Sequence, residues 1–228
     1  MAKRIYTTRE DSWDDLNHVA VAITCLGNES GQQHVGIFHK DESINEIRLL
    51  HLWWHNKLKN SLPRPTYAWV IPSISLRRAR QVAALCRKVF RQNSAGIPYA
   101  FSTASDCFDT ETGAFLIGPG HHGLTCASFV LAVFHTAGLP LVDYKTWPRE
   151  RNGDKEWQEL IIEQLTRDGA SLEHIRAIES ELGAVRYRPE DVAGACAAMS
   201  IPVPFIEADI CAQEMLRFLS EKALITTR

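Results

Sequence analysis

The sequence predicts an α+β fold, and three features carry that expectation. Short apolar runs of strand type crowd the stretch before Pro72, an amphipathic helical stretch follows Ser75, and the last third repeats its apolar residues at helical spacing. With 45% hydrophobic and 23% charged residues, a chain of 228 residues suits one large domain or a domain with a smaller helical extension.

The strands come first. Residues 17–25, NHVAVAITC, set Val19, Val21 and Ile23 against Ala20 and Ala22, so both faces are apolar and the strand is internal. HVGIF (residues 34–38) is a second strand and IRLLHLWW (residues 47–54) a third, with HKDESINE between them as a polar turn. TYAWVI (residues 66–71) is a fourth, framed by prolines.

A helix over residues 75–93 opens on Ser75 as N-cap, with Leu76, Val82, Leu85 and Val89 as its buried stripe and its arginines in solvent. Cys86 falls in this helix as a packing residue. GIPYAF (residues 96–101) reads as extended, and residues 102–120 as a long loop of the kind that often carries function. A second helix begins at Cys126, with Phe129, Val130, Val133, Phe134 and Ala137 on one face, and Gly138 and Pro140 end it. Residues 154–166, 171–182, 189–199 and 209–224 read as further helices. The division that follows is a sheet-bearing domain over 1–142 and a helical extension or cover over 143–228.

Charge and composition exclude some classes of function. The 25 basic and 27 acidic residues leave a net charge of -2, which gives no field for nucleic acid or an anionic membrane. No stretch approaches the ~20 apolar residues of a membrane span. The N-terminal segment lacks the apolar core of a signal peptide, so a cytoplasmic location is the default, although export without such a signal would leave no mark. The six cysteines include no C-x-x-C pair, and five of them read as free, buried small hydrophobes.

Cys126 is the sixth. It follows the glycine-rich segment GPGHHGLT and starts a helix, where unpaired N–H groups place roughly half a positive charge and favour a thiolate. Thr125 is its cap, and the same N–H groups suit the oxyanion of an acyl intermediate. Position alone leaves two readings open: a nucleophile, or one more core cysteine on the face of Phe129 and Val130.

A base decides between them, and nine histidines compete. Closing the hairpin symmetrically about its turn pairs Phe38 with Ile47, Gly36 with Leu49 and His34 with His51. Opposed side chains lie about 4.5–5.5 Å apart, so one imidazole would take the thiol proton while the other orients it. Gly36 leaves space on that face. His39 and His55 flank the strands and read as solvated, and His18, His135 and His174 have no supporting context. His121 and His122 either shape the site or are exposed loop residues. Together with His34 and Cys126 they lack metal-ligand spacing, so metal catalysis is disfavoured and no cofactor is expected.

HVGIF, a following strand with LLHL, and a helix opened by TCASFV together resemble the circularly permuted papain-like families, the NlpC-type peptidases and the lecithin retinol acyltransferase-like proteins. The resemblance covers about residues 19–142. It implies a permuted papain-like fold, an antiparallel sheet packed on the nucleophile helix, with His34 as base, His51 as orienting residue and Cys126 as nucleophile. GIPYAF resembles the G-x-P-Y segment of the NlpC type, which implies that Tyr99 lines the site near the oxyanion. His122 and Thr125, just upstream of the cysteine, are expected at the substrate.

The expectation is a cysteine hydrolase acting on an amide, peptide or isopeptide. One alternative is a lipid or thioester acyltransferase or deacylase with the same site. The other is an inactive binding module on this fold. Peptide or acylated substrate is the expected partner, with no nucleic acid and no stable membrane insertion.

Overall fold

A computed structural model describes residues 4–27, 31–101, 106–118 and 122–226. Its centre is a sheet of β1 (Tyr6–Thr7), β2 (Val19–Leu26), β3 (Gln33–Asp41), β4 (Glu46–Trp54), β5 (Lys57–Ser61) and β6 (Ala68–Val70), all antiparallel, in the spatial order β1-β6-β2-β3-β4-β5. A last short strand, β7 (Ile225–Thr226), joins β2 in parallel beyond the end of β6. The helices are α1 (Leu76–Gln92), α2 (Cys126–Thr136), α3 (Asp154–Arg167), α4 (Leu172–Glu179), α5 (Pro189–Ala197) and α6 (Phe205–Glu221). The α+β expectation therefore holds. None of the helices among the described residues is long and apolar enough to cross a membrane.

Two-residue alternation sorts the strands onto two apolar layers. Val21, Ile23, Val35, Ile37, Leu50 and Leu52 join α1 and α2 in the larger core. Ala20, Ala22, Phe38 and Leu49 face the other way, against Tyr67, Trp69 and the N-terminal residues Trp13 and Leu16. β2 is thus buried on both faces, as its double apolar pattern requires.

The hairpin differs from the expected register. β3 and β4 run on through His39, Lys40 and Asp41, which pair with Arg48, Ile47 and Glu46, so the connection shrinks to residues 42–45. Pairing becomes Phe38 with Leu49 and Ile37 with Leu50, a slip of two residues. A slip of two keeps every side chain on its face, so His34 and His51 become diagonal neighbours instead of opposed ones. His39 is fully buried, not solvated, and its Nε2 lies 2.9 Å from Asn60 Oδ1. β5, a mainly polar edge strand, has no apolar alternation and gave no strand signal.

Ser75 caps α1 as expected, accepting a hydrogen bond from Arg78 N–H. Leu76 is 49% exposed rather than part of the buried stripe, which begins at Ala79. α2 is buried on all sides from Cys126 to Phe134, a central helix rather than a one-faced one. Full burial of side chains the size of Phe129 and Phe134 stabilises by roughly 2–3 kcal/mol each. Within the long loop, Phe108 and Phe115 bridge a tight turn, while residues 102–105 and 119–120 lie outside the described ones.

Residues after 142 do form helices, and they share the larger core. Val192, Ala195 and Cys196 of α5 are buried with the sheet and α2, and β7 closes the chain onto β2.

Candidate active site

α2 begins at Cys126 because Thr125 and Ser128 form a capping box. Thr125 Oγ1 accepts the Ser128 N–H at 3.1 Å, and Thr125 N–H donates to Ser128 Oγ at 2.8 Å. The chain reaches this cap beside GIPYAF: Leu124 N–H donates to the Pro98 carbonyl at 3.0 Å and Ala100 N–H to the Leu124 carbonyl at 3.4 Å. Gly123 is required there, since a Cβ would run into the Pro98 carbonyl. That contact carries Tyr99 to the start of α2.

Cys126 is 7% exposed. Burial raises its thiol pKa, against the N–H groups of Val35 and Ala127, the Arg186 charge and the Tyr99 hydroxyl, which all favour the thiolate. The helix start was expected to lower this pKa; desolvation outweighs it, so the resting group is a neutral thiol. Val35 is the residue after His34, and its N–H at the sulfur brings Cys126 against the strand that carries His34.

His34 and His51 meet at 2.7 Å, Nε2 to Nδ1, with ring centroids 5.0 Å apart. Both rings are buried, and Trp53 packs edge-on against each. Gly36 makes the approach possible: a Cβ there would stand 2.8 Å from His51 Cβ. Burial, with the charges of Lys59 and Arg64, lowers the His51 pKa to about 3. His51 is therefore a neutral imidazole at physiological pH, with one nitrogen donating and one accepting.

Tyr99 is buried, and burial lifts its hydroxyl well above the ordinary phenol range, so it remains a donor. That hydroxyl contacts both the Cys126 side chain and the Cys126 backbone N–H. Two histidines hold the Tyr99 backbone: its N–H donates to His55 Nδ1 at 3.2 Å, and its carbonyl accepts from His174 Nε2 at 3.0 Å. His55 is accordingly half-buried rather than solvated, and His174 acquires a role no local pattern announced.

His34, Tyr99, Thr125 and Cys126 line one narrow cleft of about 40 Å³, walled by Trp53, Trp54, Trp157 and Arg186. Trp157 and Arg186 come from the C-terminal third and were not anticipated. Arg186 lies 3.8 Å over the Trp157 ring and donates to Asp154 at 3.1 Å. Thr125 is thus a wall whose hydroxyl is engaged in the cap. His122 is not among the lining residues. Its Nδ1 sits 2.8 Å from Glu181 Oε1, while Glu181 Oε2 accepts from Phe101 N–H, so His122 fastens the loop to the chain after α4. His121 lies outside the described residues. Among the described residues no His, Cys, Asp or Glu cluster has the arrangement of a metal site.

Comparison of the chain with family models, with curated proteins and with solved structures finds no match.

Proposed function

We propose that the chain is a cysteine hydrolase on a permuted papain-like fold, cleaving a peptide or isopeptide amide through an acyl-enzyme. The observation that carries the reading is the paired imidazole system, 2.7 Å between rings, on the strand whose Val35 N–H meets the Cys126 sulfur. His34 turns Nε2 toward His51, and this reading gives Nδ1 the thiol proton. On attack, the Cys126 proton passes to His34 Nδ1 as the sulfur bonds to the carbonyl carbon. Cys126 N–H and the Tyr99 hydroxyl donate to the oxyanion. The imidazolium then protonates the leaving amine, water loses a proton to His34 while attacking the acyl-enzyme, and the thiol is restored. A raised thiol pKa assigns His34 the part of a general base working during attack, not that of a partner in a resting thiolate pair.

Intact-mass trapping with an electrophilic peptide and an electrophilic lipid, run side by side, tests the substrate class. The expected result is a single peptide adduct on Cys126, lost in Cys126→Ala, which should fold with nearly unchanged stability. Labelling by the lipid alone would point to acyl transfer, and labelling by neither to a binding module.

A further inference from the structure

His51 also lines a second cavity, of about 170 Å³. Strand pairing builds it. His51 opposes Lys59 and Leu49 opposes Ser61 across β4 and β5, so Lys59 and Ser61 share the face of His51. Arg64 and Tyr67 enter from the connection to β6, and Trp53 forms the wall between this cavity and the cleft. Lys59 Nζ lies 5.0 Å from the Trp53 ring centroid, which holds its stem along the indole.

Two features of this cavity point to a ligand. No carboxylate lines it, and the charges acting on Lys59 are those of Arg64 and Lys57, both positive. The second is His51 Nε2, buried and facing no hydrogen-bond partner among the described residues. A buried unpaired ring nitrogen costs about 1–3 kcal/mol, and a cation-rich surface beside it favours an anion.

We propose that this cavity binds a small oxyanion, of carboxylate or phosphate type, that accepts a hydrogen bond from His51 Nε2–H and sets the tautomer of the imidazole pair. Two neutral arrangements satisfy the 2.7 Å contact. In one, His51 Nδ1–H donates to His34 Nε2, which leaves the proton of His34 on Nδ1 and makes that nitrogen useless as a base. Lys59 and Arg64 favour this arrangement, because it turns the Nε2 lone pair toward them. In the other, His34 Nε2–H donates to His51 Nδ1, each ring again carries one proton, and His34 Nδ1 can take the thiol proton. An anion at Nε2 selects the second. The site thereby regulates the reaction assigned above, and its catalytic consequence rests on that reading.

The test is the imidazole ¹⁵N spectrum of the full chain, titrated with inorganic phosphate, and separately with acetate, at constant ionic strength against chloride. His51 signals are assigned with His51→Gln. The expected result is a saturable move of His51 Nε2 from the unprotonated to the protonated position, with affinity lowered roughly tenfold or more in Lys59→Met/Arg64→Met. The phosphate and acetate arms decide which oxyanion is preferred. His51 signals that ignore both anions up to tens of millimolar, or a response unchanged in the double variant, would overturn the proposal. Both substituted residues are exposed, and a thermal melt confirms that the variant folds. Iodoacetamide labelling of Cys126 is followed in the same samples. A protonated Nε2 with Cys126 reactivity indifferent to phosphate supports the anion site and counts against the cysteine-hydrolase reading instead.

Discussion

Acid should destabilise this protein through His51 specifically. An unfolded histidine titrates near 6.5, while burial and two nearby cations hold the folded His51 to about 3. Above pH 6.5 both states are neutral and the group is silent. As pH falls below 6.5 the unfolded chain takes up a proton that the folded chain refuses, so stability drops by about 1.4 kcal/mol per pH unit until pH nears 3. Between pH 7.5 and pH 4 the loss from this one residue is roughly 3 kcal/mol, a large share of the 5–15 kcal/mol typical of a domain. His51→Gln removes the titration while keeping an acceptor for His34. Urea unfolding followed by tryptophan fluorescence at several pH values gives the comparison. The wild-type advantage over the variant should shrink, or reverse, by roughly 3 kcal/mol on acidification. Parallel pH profiles would refute the reasoning, because His51 would then titrate alike in both states.

Three further substitutions probe the supports of the site. Gly36→Ala brings a Cβ to 2.8 Å from His51 Cβ, so β4 must move; turnover should fall by about 10²–10⁴-fold, the worth of general acid–base catalysis, with the melting curve still cooperative. Tyr99→Phe removes the hydroxyl at Cys126 that the proposed mechanism uses for the oxyanion, and should lower kcat about 10²–10³-fold with KM little changed. Asp154 is buried among Arg151, Arg186 and Arg188, with contacts of 2.9–3.3 Å. Asp154→Ala takes the carboxylate from Arg186 and Arg188, while Arg151 keeps Asp191 at 2.8 Å, so urea unfolding should show a loss of about 3–5 kcal/mol, with the Arg186 wall of the cleft disordered.

Local patterning made much of this legible. Alternation located β2, β3 and β4, and capping residues located the starts of α1 and α2. The pairing of His34 with His51 survived an error in register because a slip of two residues preserves the face. What escaped were contacts between distant segments. The His55 and His174 grip on Tyr99 spans 44 and 75 residues, and the Trp157 and Arg186 walls arrive from α3 and from the segment between α4 and α5, whose local patterning concerns only their own packing. The sign of the Cys126 shift escaped for the same reason, since helix position is local and burial is set by the whole fold. β5 gave no signal because an edge strand with polar residues has no apolar period to read.

The central claim is that the imidazole of His34 serves the sulfur of Cys126. It is tested most directly by the rate at which a peptide electrophile labels Cys126 between pH 5 and 10, in the wild-type chain and in His34→Ala. Rapid labelling near pH 7 that falls by about 10²-fold or more in the variant, and returns only at alkaline pH where the raised thiol ionises unaided, is the expected result. Equal rates in the two proteins across that range would contradict it.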